Sequence, residues 1–292
     1  MNFSKFDRER QMSDFHSINE AINKRAGRRL IPSVLVGLGL LAVIFSTMKL
    51  LPILFALFVL TAILLALREL TDAFKIKGIA VSFLQLALAT TGVIASAWFA
   101  GLPGLSVSII LAVIAILITA LLKGPAGFVA NATGGTFALI YPGFISGFIF
   151  LLARSGDGFE YIATLVVLVG CNDTFAYLTG ILIGKHPLAP QVSPKKSWEG
   201  VIGGLVFAAI GTALAFNYLL EYSPALGALT AIGGVLAATI GDLVESAIKR
   251  DLALKDMGKL LPGHGGMLDR LDSVLFVAPI LWCFIEILKR VG

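Results

Sequence analysis

The sequence predicts an all-α integral membrane protein that crosses the bilayer about nine times. Of the 292 residues, 57% are hydrophobic and only 14% are charged, and the mean hydropathy is +0.91. Soluble domains are typically about 45–50% apolar and about 25% charged, so a soluble enzyme is disfavoured. Most of the apolar windows approach the ~20 residues that one transmembrane helix needs. They cover residues 31–48, 50–67, 79–100, 104–122, 127–153, 161–183, 201–220, 224–248 and 271–289.

Residues 1–29 form a polar, basic stretch that we predict to be a cytoplasmic tail. The first apolar run begins only near Leu30 and continues into further spans, which is unlike a cleavable signal peptide. Either an amphipathic helix on anionic lipid or a solvated tail is compatible with this composition. Between the first two windows only Lys49 and Leu50 precede Pro52, which predicts a tight hairpin.

The distribution of Lys and Arg predicts the orientation. A cytoplasmic N-terminus with nine spans places 19 of the 23 basic residues on the cytoplasmic side. Cytoplasmic loops carry an excess of Lys and Arg in membrane proteins. We therefore expect a multi-pass protein of the plasma (inner) membrane, with its N-terminus inside and its polar loops facing the cytoplasm.

Charged residues divide the chain into two parts. Residues 30–160 carry few charges inside their apolar windows and are predicted to be scaffold helices. Residues 161–292 are predicted to be the catalytic half, with cytoplasmic loops at 184–200 and 250–270. The basic residues are not clustered on a soluble face, so nucleic-acid binding is not expected. Cys171 and Cys283 lie in apolar runs and indicate neither a disulfide framework nor a zinc site.

Asp173 is the first acidic residue at bilayer depth in the catalytic half. A carboxylate there costs at least ~2.5–3.5 kcal/mol on insertion scales. A protonated Asp in a helix–helix hydrogen bond would account for it, and so would a carboxylate facing a wet cavity. We favour the cavity.

The segment GDLVESAIKR at 241–250 carries a polar stripe. Asp242, Ser246 and Lys249 have i, i+4, i+7 spacing, with Glu245 beside them, so they share one face of a helix. A helix leaving the membrane explains Lys249 and Arg250. It does not explain Asp242, which lies about two turns deeper.

The segment PGHGGMLDRLD at 262–272 combines a glycine turn with two carboxylates. Gly265 and Gly266 let the backbone approach a ligand closely, and His264 lies on the same turn. Asp269 and Asp272 suit a helix N-terminus, so capping is the simpler alternative. With Asp242 they would offer three hard oxygen ligands, which Mg²⁺ prefers.

The loop GKHPLAPQVSPKKSWEG at 184–200 carries Lys195 and Lys196. Lysine pairs beside a bilayer commonly contact anionic lipids, and the alternative is binding of substrate phosphates. Carboxylates and cations together at one membrane face favour phosphoryl or nucleotidyl transfer, because metal and Lys/Arg neutralise phosphate charge. No GxxxxGK[ST] sequence occurs, so a P-loop is not supported.

These motifs resemble the phosphatidate cytidylyltransferase (CDP-diacylglycerol synthase) family. The resemblance covers SAIKRDLALKDMGKLLPGHGGMLDRLD at 246–272 over its whole length, and NDTFAYLTG, GKHPL and SPKKSWEG upstream. It implies an enzyme that condenses CTP with phosphatidic acid to give CDP-diacylglycerol and pyrophosphate, with a divalent cation such as Mg²⁺. A second cation and a homodimer are left open.

By motif position, the resemblance implies that Asp242, Asp269 and Asp272 form the metal-binding set. Residues expected to line the nucleotide phosphates or the polar cavity are Asp173, Lys195, Lys196, Lys249, Arg250, Lys255, His264 and Arg270. Ser246, Gly265 and Gly266 complete the predicted binding residues. Two other functions remain open on sequence grounds: an ion-coupled transporter using the buried acids, and a CTP-using transferase or kinase acting on another lipid.

Overall fold

A computed structural model describes residues 30–258 and 265–291, with side chains from residue 37 onward. The predicted tail at 1–29 and His264 lie outside the described residues. Met1–Ile44 and Phe45–Gly292 form two separate units. In the first, the described residues belong to a helix that starts at Leu30. The site lies wholly in the second.

Helices dominate the described part of the chain, which confirms the all-α fold class. The helices are α1 (Leu30–Leu50), α2 (Pro52–Phe74), α3 (Phe83–Leu122), α4 (Phe128–Ala138), α5 (Ile145–Ala153), α6 (Gly158–Ile183), α7 (Trp198–Tyr218), α8 (Pro224–Asp251) and α9 (Leu268–Val291). A short 3₁₀ turn, Lys75–Lys77, follows α2, and a π-helical turn, Leu139–Phe144, joins α4 to α5.

Seven helical segments in the described residues are long and apolar enough to span a membrane. One of them, α3, has 40 residues, and a straight helix of that length would extend about 60 Å at 1.5 Å per residue, roughly twice the hydrocarbon thickness. It is broken at Gly101, whose φ of 68° and ψ of −153° are not helical, and Pro103 follows. Counting α1 and both halves of α3 as spans would give nine. That number and the side of the N-terminus remain predictions.

Among the described residues of the catalytic half, the element that the sequence did not predict is a β-hairpin. Strand β1 (Pro187–Ala189) pairs antiparallel with β2 (Ser193–Ser197) inside the predicted loop 184–200. Ser197 ends the hairpin and caps α7, because its hydroxyl accepts a hydrogen bond from Gly200 N at 3.1 Å. The hairpin therefore delivers Lys195 and Lys196 to the end of the helix bundle.

Small residues allow α6, α7, α8 and α9 to pack in sequence. Gly203 lies against Thr179, and Gly204 lies against Asn172. Close backbone approach at small residues is the usual way that membrane helices associate. Gly241 has the largest consequence for the site, since a Cβ atom there would lie 2.9 Å from the Phe276 ring. Its missing side chain lets α8 approach α9 beside Asp242.

Candidate active site

Three carboxylates meet where α8 approaches α9. Asp242, Glu245 and Asp272 each place one oxygen so that these atoms lie within 4.8 Å of one another. Asp242 and Glu245 are one helical turn apart on α8, and Asp272 lies in the second turn of α9. We call this set the acid group.

Glu245 is the most enclosed member of the acid group. Its side chain is 1% exposed, and its Oε1 has no hydrogen-bond partner among the described residues. Two like charges 4 Å apart repel by ~4 kcal/mol at an effective dielectric of 20. An orphaned buried oxygen beside two further carboxylates therefore fits a hard divalent cation such as Mg²⁺, which binds oxygen ligands.

Lys249 connects the acid group to Asp269. Its Nζ forms an ion pair with Glu245 one turn earlier on α8 and a second with Asp269 Oδ1 at 2.8 Å. The side chains of Lys249 and Asp269 are only 17% and 9% exposed. This chain of charges is largely removed from solvent, so each member depends on its partners.

Asp269 holds the turn that precedes α9. Its Oδ2 accepts hydrogen bonds from Gly266 N at 2.7 Å and Met257 N at 3.0 Å. Gly265 has a φ of +80°, a conformation that favours glycine. In the described structure Glu245, not Asp269, completes the group of three with Asp242 and Asp272. A direct metal contact by Asp269 stays a prediction from the resemblance.

The hairpin reaches the acid group through Lys196. The Nζ of Lys196 lies 2.5 Å from Asp242 Oδ2, while the Ser246 hydroxyl lies 3.5 Å from Asp242 Oδ1. Arg250 Nε donates to the carbonyl of Val192 at 3.2 Å. These contacts join the hairpin to α8 at two points and bring cations beside the carboxylates.

Asp173 and Arg270 lie near this centre, and Lys195 adjoins Lys196 in β2. Asp173 is exposed, accepts a hydrogen bond from Asn172 Nδ2 at 2.9 Å, and lies within electrostatic range of Asp242, Lys196 and Arg270. Lys195 and Lys255 are exposed, and Arg270 is partly buried. Among the described residues, the structure places most of the predicted ones in one region of the fold.

Tyr141 and Glu69 belong to this region although the sequence analysis did not select them. Tyr141 lies in the π-helical turn, is 3% exposed, and has a hydroxyl without a hydrogen-bond partner among the described residues. The hydroxyl is within electrostatic range of all three members of the acid group. Glu69 lies near the end of α2 and contacts the start of α9. Pro142 was a detectable signal for the irregular turn, whereas the position of Glu69 depends on tertiary structure.

The substitution Tyr141→Phe tests whether this hydroxyl forms a hydrogen bond when substrate is bound. Removing an unpaired buried hydroxyl should leave the melting temperature unchanged or raised. We expect the substitution to lower turnover at saturating substrate by roughly tenfold, the loss of about one hydrogen bond to a charged group. Wild-type turnover in the variant would show that the hydroxyl has no role in the reaction.

Comparison with known proteins identifies the family. The sequence profile described as "Cytidylyltransferase family" matches residues 31–288. The chain belongs to the cytidylyltransferase family. Because the match extends over the scaffold helices as well as the acid group, both halves of the chain are part of the family fold.

Curated relatives carry a more specific name. The phosphatidate cytidylyltransferase of Mycobacterium leprae (strain TN) is 34% identical over 280 residues, which is 90% of each chain. That of Mycobacterium tuberculosis (strain ATCC 25618 / H37Rv) is 31% identical over 277 residues, covering 90% of this chain and 84% of the relative. A third, from Staphylococcus aureus (strain COL), is 43% identical over 137 residues, 46% of this chain and 52% of the relative. This cytidylyltransferase is therefore an enzyme of the nucleotidyltransferase class.

Proposed function

We propose that this cytidylyltransferase transfers the cytidylyl group of CTP to phosphatidic acid, giving CDP-diacylglycerol and pyrophosphate. The observation that carries the proposal is the acid group, three carboxylates converging beside two buried or half-buried lysines. The names of the relatives supply the acceptor and the nucleotide. Phospholipid biosynthesis in a membrane is the setting that such a reaction implies.

The reaction follows from charge. A phosphate oxygen of phosphatidic acid attacks the α-phosphorus of CTP and forms a new P–O–P linkage. The bond between the α-phosphorus and the bridging oxygen breaks, and pyrophosphate leaves with the electron pair. The attacking phosphate is already anionic near neutral pH, so a strong general base is not needed. The main barrier is repulsion between two polyanions, which positive charge in the site offsets.

The acidic and basic residues of the site would have different roles. Asp242, Glu245 and Asp272 would hold a divalent cation, with Asp269 as the further candidate from the resemblance. When bound, such a cation neutralises phosphate charge and stabilises the leaving oxygen. The exposed Lys195 and Lys255 would be accessible to the substrate phosphates. Lys196, Arg250 and Arg270 add positive charge beside the acid group.

The location of the site supports a cytoplasmic orientation in the inner membrane. The acid group lies toward the end of α8 and the beginning of α9, next to the hairpin. CTP is a water-soluble nucleotide, and phosphatidic acid arrives from the bilayer. A site at a helix end, next to polar loops, is accessible to both.

A labelling experiment tests the reaction class. Purified protein is incubated with phosphatidic acid, Mg²⁺ and CTP labelled at either the α- or the γ-phosphorus. We expect the α-label alone to appear in the lipid fraction. Label from the γ position would indicate a kinase, and no transfer of either label would remove the proposed function. Replacing phosphatidic acid by a polyprenol phosphate tests the acceptor.

Removal of divalent cation should abolish transfer. Excess EDTA should eliminate product formation, and added Mg²⁺ should restore it, because hard carboxylate ligands bind Mg²⁺ reversibly. Product is measured by thin-layer chromatography of the labelled lipid. Full activity in EDTA would contradict a role for the acid group in metal binding.

A further inference from the structure

Glu69 links the scaffold helices to the acid group. Its Oε1 accepts a hydrogen bond from Met267 N and its Oε2 one from Leu268 N, each at 3.0 Å. Helix α9 begins at Leu268, so these two amides belong to the start of the helix that carries Asp272. The carboxylate comes from α2, almost 200 residues earlier in the chain.

The start of α9 needs an acceptor from elsewhere in the fold. The first amides of a helix have no partner within the helix, and a side-chain oxygen just before the helix commonly supplies one. Met267 occupies that place and has no such oxygen. A carboxylate satisfies the amides and also suits the positive end of the helix dipole. Glu69 therefore fixes where α9 begins.

Two glycines make room for this carboxylate. A Cβ atom at Gly258 would lie 2.5 Å from Glu69 Cδ, and one at Gly266 would lie 2.8 Å from the same atom. Both positions are thus closed to larger residues while Glu69 stays in place. The neighbouring Asp72 is different, since it pairs with Arg68 and Lys75 at the exposed surface, where ion pairs contribute little.

We infer that Glu69 is a positioning residue for the acid group. It does not belong to the group, but it holds the first turn of α9, and Asp272 lies one turn further along the same helix. Asp242 and Glu245 come from α8, so the spacing of the three carboxylates depends on where α9 starts relative to α8. The inference rests on the proposed function, because the acid group is taken as the metal-binding part of the enzyme.

The test measures cation binding without catalysis. Mn²⁺, as a paramagnetic substitute for Mg²⁺, is titrated into purified full-length protein without CTP, and its dissociation constant is followed by electron paramagnetic resonance. The variant Glu69→Gln keeps the size of the side chain and one acceptor oxygen. We expect its dissociation constant to rise by roughly tenfold or more, as for residues that orient metal ligands. The matched control Asp72→Asn should bind Mn²⁺ as wild type does.

A merely structural cap would behave differently. It would lower the melting temperature of Glu69→Gln and leave the Mn²⁺ dissociation constant of the folded protein unchanged, and that result would overturn the inference. Gly258→Ala gives a second route, since it retains the charge of Glu69 but displaces the carboxylate. Gly258→Ala should also raise the Mn²⁺ dissociation constant. This variant therefore tests the inference even if Glu69→Gln does not fold.

The outcomes separate this inference from the proposed function. Wild-type protein that makes CDP-diacylglycerol, together with a Glu69→Gln variant that binds Mn²⁺ normally, would overturn the positioning role and leave the function intact. Mn²⁺ binding that depends on Glu69, without any product from CTP and phosphatidic acid, would support the positioning role and overturn the proposed function. Absence of Mn²⁺ binding in wild type would also overturn the inference.

Discussion

Replacing Asp272 by asparagine should abolish cytidylyl transfer while the protein still inserts and purifies. Asp272 is the one member of the acid group that α9 contributes, and its Oδ1 accepts a hydrogen bond from Ser273 N at 2.7 Å. The asparagine side chain keeps the shape of aspartate but lacks the negative charge that binds a cation. Metal catalysis stabilises the transition state by several kcal/mol, so we expect turnover to fall on the order of 10³-fold. The labelled-lipid assay measures the loss.

The matched control for this substitution is Asp251→Asn. Asp251 ends α8 and forms an exposed ion pair with Lys77 at 3.2 Å. It should retain wild-type turnover, because exposed pairs of this kind are worth little. Near-normal turnover in Asp272→Asn would refute the role of the acid group. Comparing Asp269→Asn with Asp272→Asn in the Mn²⁺ titration also shows whether Asp269 acts as a ligand or holds the turn.

The sequence predicted the fold class, and it selected several residues of the candidate site, for a physical reason. Charged residues are costly inside a bilayer, so Asp173 and Asp242 stood out against an apolar background. Helical spacing then placed Asp242, Ser246 and Lys249 on one face, and the structure has them on one side of α8. Composition alone was enough to disfavour a soluble enzyme.

Other parts of the site depend on tertiary contacts that spacing does not encode. Asp269 and Asp272 are i, i+3 on one helix, and the sequence treated them as equivalent. The structure separates them, because Lys249 and two backbone amides engage Asp269, while Asp272 joins Glu245. The role of Glu69 could not be predicted for the same reason, since its partners lie almost 200 residues later in the chain. The hairpin at 187–197 was not predicted because its strands are short and polar and their sequence has weak strand signals.

Substitution of Lys249 should have the second large effect, on stability as well as on activity. It is the only described side chain that forms ion pairs with both Glu245 and Asp269. Lys249→Met would remove the cation that pairs with two largely buried carboxylates. Breaking a buried pair in this way costs roughly 3–5 kcal/mol, so we expect a clearly lower melting temperature and little transfer. Lys75→Met, which removes an exposed lysine from a surface pair with Asp72, should change neither quantity.

A double variant separates the two effects of Lys249. In Lys249→Met/Glu245→Gln one of the stranded charges is also removed, so part of the lost stability should return. Activity should not return, because the acid group has then lost a carboxylate and the neighbouring cation. The melting temperature and the labelled-lipid assay are measured on the same preparations. Recovery of both in the double variant would show that Lys249 serves only to neutralise Glu245, whereas recovery of stability alone places the pair in the reaction itself.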